Sequence, residues 1–460
     1  MSEFRDLRVV VVGLGASGLA ATRVLAEEGA RVRVSELRPR AELEPDLREL
    51  DVDVEVAAGG HDESHLDGAH LIVTSPGVAE QAPILRAALR RGIPVWSELE
   101  LGARICSVPY VAVTGTNGKT TTTEMVASCL RAGGRDAVAC GNIGHPFSLA
   151  ARESHDVLAV EASSFQLRFH LSFHPSVSAL LNIAPDHLDW HGTLGAYRDA
   201  KARIFELQGP RDTHVGNRDD APGADVSRRA PCTLVWFRLA APSDGEVGYE
   251  DGTLVSRMHG DRPDLGVPAS PSAGFRADAA AAAAAALAYG VTPEAVRTGL
   301  AAVGPLPHRG EVVATAGTVR FVDNSKATNP HATIAALEGL DRVVLIAGGL
   351  SRGLDLSPLL AAAPTLAAVV AMGETGPEVA ALFEGTVPVR KAASIEEAVE
   401  VAAELAPPSG TVLLAPACAS QDMFRDYRER GNRFARAARR LANGSGLVED
   451  GWLGKGSGDG

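Results

Sequence analysis

Short apolar runs, each ending in glycine or a polar residue, alternate with helix-forming stretches along most of the chain. The first four runs are RVVVVG (8–13), RVRVS (31–35), LIVTSPG (71–77) and IPVWSE (93–98). Uninterrupted β-branched runs of this length are typical of parallel strands that are buried on both faces. Their alternation with helices predicts a doubly wound α/β domain over residues 1–102.

The same alternation continues in a second segment, which we place at residues 103–305. Its predicted strands are YVAVT, DVLAVE and VSALL. The nearly all-alanine stretch 277–288 predicts a packed helix, because alanine has the highest helix propensity. Residues 208–274 are rich in Gly, Pro and Asp, which favours loops with short strands.

A third segment, which we place at residues 306–445, predicts another α/β domain. Its strand-and-turn strings are TVRFVDNSKATN, RVVLIAGG, AAVVAMGE and GTVLLAPACAS. The glycine-rich residues 446–460 predict a flexible tail.

Composition restricts the possible functions. The 460 residues are 45% hydrophobic and 22% charged, as in ordinary globular proteins, and 44 Lys and Arg stand against 57 Asp and Glu. The net charge of −13 argues against nucleic-acid binding and requires local cations for any anionic ligand. No apolar stretch reaches the roughly 18–20 residues of a membrane span, the amino terminus lacks an apolar signal core, and the five Cys form no CxxC pair. We therefore expect a cytoplasmic protein that does not insert into membranes.

The first candidate site is a glycine-rich turn between the first strand and its helix. Gly13-Leu14-Gly15-Ala16-Ser17-Gly18 matches G-x-G-x-x-G, and Glu36 ends the second strand. Small residues there let a diphosphate approach a helix amino terminus, whatever base or sugar it carries. The alternatives are a purely structural turn and a nicotinamide oxidoreductase; we disfavour the latter because the next domain contains a second phosphate site.

That second site is Gly115-Thr116-Asn117-Gly118-Lys119-Thr120, between a strand and a helix. Its N–H groups can surround phosphates, Lys119 can neutralise charge on the transferred group, and Thr120 can bind Mg²⁺. The spacing is shorter than G-x-x-x-x-G-K-[ST], so a strict pattern search would miss this loop.

Four polar residues extend this second site. Glu161 ends the next strand and could provide the second protein ligand to Mg²⁺. His187 follows the strand VSALL, at the sheet edge where α/β active sites gather, and could bind metal or transfer a proton. Asn142, in a Gly/Pro loop, could line the same cleft or serve only the turn. Lys201, on pattern alone, is an ordinary helix lysine.

These strings together resemble the Mur ligase family, ATP-dependent enzymes that build the peptide of bacterial cell-wall precursors. The resemblance covers nearly the whole chain, in order, through GLGASG, TSPG, VTGTNGKTT, GNIG, EASSFQL, NIAPDHLDWHG, PHR, DNSKATN and PACASQDMF. EASSFQL and the last two strings are most similar to the member that adds D-glutamate. The DNPR-type string of the member that adds a diamino acid is absent from the sequence.

The resemblance implies an N-terminal Rossmann-like UDP-binding domain, a central P-loop ATPase-like domain and a C-terminal Rossmann-like α/β domain. It implies ATP contacts at Gly115, Thr116, Asn117, Gly118, Lys119, Thr120, Thr121, Asp278, Arg309 and Asn324. It implies contacts to the UDP substrate at Gly15, Ser17, Glu36, Leu37, Arg38, Ser75, Gly77 and Asn142, and to D-glutamate at Lys326, Arg352, Ser420 and Tyr427. It implies catalytic roles for Lys119, His187 and Lys201, and two Mg²⁺ ions held by Thr120, Glu161, His187 and Lys201 as a carbamate.

The implied reaction joins D-glutamate to UDP-N-acetylmuramoyl-L-alanine. The alanyl carboxylate attacks the γ-phosphoryl of ATP, and the amine of D-glutamate then displaces phosphate from the acyl phosphate. His187 or the carbamate could position or deprotonate that amine. We expect a monomer whose partners are these three small molecules. The rival interpretation, a non-catalytic ATP-binding switch, leaves His187 and Lys201 without a role.

Four positions depart from the family pattern. Gly274-Phe275-Arg276-Ala277-Asp278 replaces a His-Asn-x-x-Asn stretch, so only Asp278 can meet the adenine amino group. Asp323-Asn324 reverses the usual Asn-Asp order, which turns the acid to the opposite face of a strand. Arg352 replaces a common Lys with a planar, bidentate donor, and Trp190 replaces a frequent Arg. The changes at Asp323 and Arg352 keep a ligase with another acidic amino-acid preference as the alternative.

Overall fold

The structure, a computed structural model, describes residues 2–449, and its strands form three sheets. The chain divides into two compact units. The first comprises the chain up to Ala184, Trp190–Ala269 and Phe275–Val303, and the second comprises Pro185–Asp189, Ser270–Gly274 and the described chain from Gly304. The N-terminal and central sheets lie in the first unit and the C-terminal sheet lies in the second.

The N-terminal sheet is built from the first apolar runs of the sequence. Its strands are β1 (Arg8–Val12), β2 (Arg31–Glu36), β3 (Glu55–Ala58), β4 (Leu71–Thr74) and β5 (Val95–Ser97), and its helices are α1 (Ala16–Glu27), α2 (Arg40–Leu50), α3 (Pro83–Arg90) and α4 (Glu98–Ile105). All strands are parallel, in the order β3-β2-β1-β4-β5. Val9 and Val11 pack into one apolar cluster and Val10 and Val12 into another, so the sheet is buried on both faces. The strand order reverses between β1 and β4, where ligands bind in such folds.

The central sheet has nine strands. They are β6 (Tyr110–Thr114), β7 (Ala137–Gly141), β8 (Val157–Glu161), β9 (Val177–Leu180), β10 (Thr213–Asn217), β11 (Thr233–Phe237), β12 (Glu246–Glu250), β13 (Thr253–Ser256) and β14 (Asp264–Gly266). The order is β14-β13-β12-β11-β10-β9-β6-β8-β7, and β13 is antiparallel to both of its neighbours, β12 and β14. The segment 208–274, predicted as loops with short strands, contributes five of these strands. These strands are stabilised because Val215, Phe237 and Leu254 are buried in the same cluster as the alanine-rich helix.

Eight helices of the described chain connect and flank the strands of this sheet. They are α5 (Lys119–Ala132), α6 (Phe147–Ala150), α7 (Ser164–Arg168), α8 (Leu188–His191), α9 (Leu194–Ala202), α10 (Ala221–Ser227), α11 (Ala273–Ala288) and α12 (Pro293–Ala301). β6 lies between β8 and β9. The loops that follow these three parallel strands therefore meet at one edge of the sheet.

The C-terminal sheet has the order β15-β16-β20-β17-β18-β19, with only β15 antiparallel to its neighbour. Its strands are β15 (Glu311–Ala316), β16 (Val319–Asp323), β17 (Val343–Ala347), β18 (Leu366–Ala371), β19 (Val389–Lys391) and β20 (Thr411–Leu414), and its helices are α13 (Pro330–Leu337), α14 (Gly376–Phe383), α15 (Ile395–Leu405) and α16 (Tyr427–Glu449). Alternate residues of β17 pack into two different clusters, so this sheet is also covered on both faces.

Each sheet lies inside one of the three predicted domain intervals, whose exact limits remain predictions. Helix α16 continues to Glu449, so residues 446–449 of the predicted tail are helical, and the rest of that tail lies outside the described residues. No helix within residues 2–449 is long and apolar enough to cross a bilayer.

Candidate functional site

The second glycine-rich loop, predicted to bind phosphate, follows β6 in the central sheet. Gly118 (φ +87°) occupies the left-handed region directly before α5, which begins at Lys119. Asn182, which follows β9, fixes the loop from the side. Its Oδ1 accepts the N–H groups of Thr116 at 3.1 Å and Asn117 at 2.8 Å, and its Nδ2 donates to the Asn117 carbonyl at 3.1 Å. The protein's own contacts therefore hold this loop in shape.

Two lysine ammonium groups share one carbonyl oxygen of the loop. Lys119 Nζ donates to the carbonyls of Gly115 and Thr116, both at 3.0 Å, and Lys201 Nζ donates to the Gly115 carbonyl at 2.6 Å. Lys201 is 1% exposed, and its Nζ lies 4.5 Å from the centre of the Tyr197 ring. Helix α9 thus directs Lys201 into the phosphate loop, although the sequence pattern alone is that of a surface lysine.

An oxygen-rich corner suited to Mg²⁺ lies beside the loop. The Thr120 hydroxyl donates to Glu161 Oε2 and the Asn142 amide donates to Glu161 Oε1, both at 2.8 Å. Mg²⁺ usually takes one or two protein oxygens and completes its shell with water and substrate phosphates. One buried carboxylate and one hydroxyl fit that pattern. Within residues 2–449 no group of three or more His, Cys, Asp and Glu side chains could hold a metal by itself.

Asp278 and His187, two further predicted site residues, lie in different units of the structure. A Cβ at position 118 would collide with the Asp278 carboxylate, which places Asp278 against the phosphate loop, while Phe275 is buried in the apolar core. His187 groups with the C-terminal unit and has φ +53°. Its Nε2 lies 3.7 Å from Asp186 Oδ2, an oxygen that also accepts the Asn329 amide at 3.1 Å.

The first glycine-rich turn packs tightly against the turn that follows β4. Gly13 has φ +85°, and the Ser75 hydroxyl donates to its carbonyl at 2.8 Å. A Cβ at Gly18 would collide with the Gly13 carbonyl oxygen and lie 2.8 Å from the Ser75 hydroxyl, whereas a Cβ at Gly15 would meet no heavy atom within 4 Å. Gly18 therefore serves helix–strand packing, while Gly15 leaves open space at the amino terminus of α1.

Glu36 shapes the same turn from the end of β2. Its Oε2 accepts the Leu14 N–H at 2.6 Å, its Oε1 accepts the Arg38 N–H at 3.1 Å, and the Arg38 guanidinium donates to the Leu14 carbonyl at 2.9 Å. Burial works to raise the pKa of Glu36, but the hydrogen bonds from Arg38 and Leu14 outweigh burial and lower this pKa below its ordinary value. The carboxylate is therefore ionised at neutral pH and bound to the turn. Leu37 stands 64% exposed beside it.

Substituting the two glycines should separate folding from binding at this turn. Gly18→Ala forces a methyl group against backbone and should destabilise the protein by about 1–3 kcal/mol. Gly15→Ala places its methyl group in open space and should lower stability by less than about 1 kcal/mol, the usual effect of alanine at a helix N-cap, yet weaken a diphosphate ligand. Thermal unfolding and calorimetric titration with UDP measure the two effects. Normal UDP affinity in Gly15→Ala would contradict a diphosphate site here.

The residues predicted to contact D-glutamate lie at two places in the C-terminal unit, Lys326 with Tyr427 and Arg352 near Ser420. Lys326 Nζ lies 4.1 Å from the centre of the Tyr427 ring, in cation–π geometry. Arg352 (φ +53°) donates from Nη2 to Gln421 Oε1 at 3.1 Å, directly after the buried Ser420. The guanidinium of Arg352 therefore reaches the loop that carries Ser420.

A buried arginine that the sequence did not single out connects these segments. Arg430 is 1% exposed, and it donates from Nε to the Ser325 hydroxyl at 3.0 Å, from Nη2 to the Ser325 carbonyl at 2.8 Å and from Nη1 to the Cys418 carbonyl at 3.1 Å. Burial lowers the pKa of Arg430 to about 10, so the group stays charged at neutral pH. It fixes the backbone next to Lys326 and near Ser420.

In the reversed Asp-Asn pair at the end of β16, the acid is buried and the amide is partly exposed. Asp323 is fully buried, where its Oδ2 lies 2.7 Å from His308 Nδ1 and its Oδ1 accepts the Ser325 N–H at 2.9 Å. Asn324, the next residue, is partly exposed, as is Arg309 beside His308. The acid therefore faces the interior of the unit, and Asn324 is the member of the pair that a nucleotide could reach.

A glycine-rich loop beside the Thr120–Glu161 contact in the central sheet, preceded and followed in the chain by Rossmann-like sheets, is typical of nucleotide-dependent α/β enzymes. Three family models match the chain. They are Mur ligase MurD-like, N-terminal domain (residues 7–97), Mur ligase middle domain (113–251) and Mur ligase, glutamate ligase domain (308–418). The chain belongs to the Mur ligase family and is a ligase. The predicted fold class is confirmed.

Individual relatives align along nearly the whole chain. The UDP-N-acetylmuramoylalanine--D-glutamate ligase of Frankia casuarinae is 46% identical over 95% of this chain and 95% of its own, and that of Streptomyces coelicolor is 41% identical over 96% and 99%. Among solved structures, UDP-N-acetylmuramate-alanine ligase MurC and MurF ligase in complex with ADP, both from Thermotoga maritima, have TM-scores of 0.60. They are 17% and 16% identical, cover 95% and 96% of this chain and 100% of their own, and show the shared fold.

Proposed function

We propose that the chain joins D-glutamate to UDP-N-acetylmuramoyl-L-alanine in an ATP-dependent reaction that yields ADP and phosphate, as a step of peptidoglycan precursor synthesis. The observation that carries this proposal is the predicted phosphate loop with its Thr120–Glu161 contact, in a chain that is 46% identical over 95% of its length to a ligase of that name. We place the enzyme in the cytoplasm, where ATP and UDP-linked precursors are available, and expect it to act as a monomer.

The first chemical step is attack of the alanyl carboxylate on the γ-phosphoryl of ATP, which forms an acyl phosphate and releases ADP. The amine of D-glutamate then attacks the acyl carbon, and the tetrahedral intermediate loses phosphate to leave an amide. Negative charge concentrates on the transferred phosphoryl, and the Lys119 ammonium, held at the loop carbonyls, lies where it can offset that charge. His187 is the candidate for receiving the proton of the attacking amine.

The residues around Glu161 fit Mg²⁺, which would stabilise charge on the phosphate oxygens of ATP. Thr120 and Glu161 would hold the ion that meets the phosphates. The Asn142 amide donates to the same carboxylate and keeps its orientation. We assign Thr120 and Glu161 to the first ion and modified Lys201 to the second.

Lys201 is the position where we propose a carbamate. Its amine would add to CO₂, forming an N–C bond and releasing one proton to solvent. As ammonium groups, Lys201 and Lys119 bond the same carbonyl oxygen, so two like charges lie close together and repel each other. Carbamylation replaces this repulsion with attraction and creates the anionic oxygens that Mg²⁺ prefers.

Recognition of D-glutamate rests on Lys326, Arg352, Ser420 and Tyr427. A phosphate-release assay with a panel of D- and L-amino acids and UDP-linked muramoyl acceptors tests this function directly. We expect release only when ATP, UDP-N-acetylmuramoyl-L-alanine and D-glutamate are all present, with amide product in equal amount. Faster turnover with another acidic amino acid would contradict D-glutamate as the amino acid that is added, and hydrolysis of ATP without amide product would contradict ligation.

A further inference from the structure

The segment after β4, residues Ser75–Glu80, is fastened to the central domain by two side chains; we call it the 75–80 turn. Trp190 Nε1 donates to the Val78 carbonyl at 3.0 Å. Arg168, at the end of α7, forms a bidentate pair with Glu80, with Nε–Oε2 at 3.0 Å and Nη2–Oε1 at 2.6 Å. Both contacts lie within the first compact unit and join its N-terminal part to its central part.

The indole of Trp190 has little freedom to move. It is 6% exposed and its ring centre lies 4.9 Å from Phe165, 6.2 Å from Phe169 and 4.5 Å from His191. It shares an apolar cluster with residues of β1 and α3 in the N-terminal domain. A ring packed on several sides holds its N–H at a fixed position, which makes the hydrogen bond to the 75–80 turn specific in direction.

The same turn forms one side of the first glycine-rich turn. The Ser75 hydroxyl bonds the Gly13 carbonyl, and the Val78 side chain lies 3.2 Å from where a Cβ at Gly13 would stand. A small displacement of the 75–80 turn would therefore move the Gly13–Gly15 backbone. That backbone borders the open space at Gly15 where a diphosphate can approach the helix.

We propose that Trp190 is a positioning residue for the UDP-bearing substrate, acting through the Val78 carbonyl on the 75–80 turn. The inference rests on the proposed function only in taking the N-terminal turn as the UDP site. Arg168 supports the turn more weakly, because its pair with Glu80 is partly exposed to solvent.

Trp190→Phe tests the proposal, because it keeps an aromatic ring and removes only the N–H donor and part of the ring. We expect KM for UDP-N-acetylmuramoyl-L-alanine to rise about five-fold, which corresponds to the loss of one hydrogen bond. The kcat, the KM for ATP and the KM for D-glutamate should stay within about two-fold of their wild-type values. Arg168→Gln should shift the same KM by a smaller factor. Trp236→Phe is the matched control, since Trp236 is also nearly buried but stacks against Arg218 in the central domain, and it should change none of these constants.

An unchanged KM for the UDP substrate in Trp190→Phe would overturn the proposal, as would an equal rise in all three KM values or a fall in kcat alone. Wild-type enzyme without UDP-substrate turnover would instead contradict the proposed function, so the two failures are distinguishable.

A second measurement, of tryptophan fluorescence, does not depend on the folding of a Trp190 variant. In an enzyme with Phe at the other three tryptophan positions, UDP should alter the emission of Trp190 and D-glutamate should not; no response to UDP would refute the coupling.

Discussion

Lys119→Ala should lose a factor of at least about 10²–10³ in the rate of ligation, the usual effect of removing one charged group that stabilises a transferred phosphoryl. The ammonium already bonds the Gly115 and Thr116 carbonyls, so it is fixed at the loop before charge develops. Alanine leaves the fold of α5 intact, because alanine is the strongest helix former. Phosphate release under saturating substrates, with product detected separately, measures the loss.

Lys391→Ala is the matched control for this substitution. Lys391 ends the short strand β19 and is exposed, so its removal changes the net charge equally without touching the phosphate loop. We expect wild-type turnover from it and unchanged UDP affinity from both variants. Near-normal turnover by folded Lys119→Ala enzyme would exclude the phosphate-loop assignment.

Lysine usage sets the predicted site residues apart from the rest of the chain. The chain contains 39 Arg and only five Lys, at positions 119, 201, 326, 391 and 455. Three of these five are predicted site residues, in a chain that otherwise uses arginine for surface charge. A compact ammonium fits inside a phosphate loop, and only an amine can become a carbamate, whereas a guanidinium can do neither. Local pattern therefore pointed to Lys119, while the burial of Lys201 required the fold.

The fold could be predicted wherever the apolar pattern was continuous, as in RVVVVG and YVAVT. In 208–274 the composition predicts loops with short strands but gives neither the number of strands nor their order in the sheet. Five strands form there because their apolar residues pack against the alanine-rich helix. Tertiary burial of this kind leaves only a weak local signal in the sequence.

The residues that escaped prediction are those that act through long-range contacts. Arg430 lies in RERGNRF, where its neighbours Arg428 and Arg433 look the same, and only its burial against Ser325 distinguishes it. Asn182 had a better signal, since it is an amide at the end of a strand next to the phosphate loop. Its hydrogen bonds to Thr116 and Asn117 depend on the adjacency of β6 and β9, which the sequence does not state.

Lys201→Ala should lower activity by orders of magnitude, because it removes the amine whose carbamate would supply oxygen ligands for Mg²⁺. Lys201 is 1% exposed, so its removal frees the space of its side chain beside the Gly115 carbonyl and the Tyr197 ring. A short carboxylic acid at high concentration can enter that space and present two oxygens to the metal. Acetate and formate should therefore restore part of the rate, with a dependence on acid concentration that saturates.

The selectivity of the rescue distinguishes a carbamate from other roles of Lys201. Lys119→Ala should gain nothing from acetate, because the missing group is a cation and a carboxylate cannot replace it. Chloride at equal ionic strength should have no effect on Lys201→Ala, which excludes a general salt effect. A lysine that only donates to the Gly115 carbonyl predicts a modest loss and no response to acids. Intact-mass or density evidence for an unmodified ammonium at Lys201 in fully active enzyme, together with a mild alanine variant, would leave Thr120 and Glu161 as the protein ligands of Mg²⁺ beside the loop and refute the carbamate.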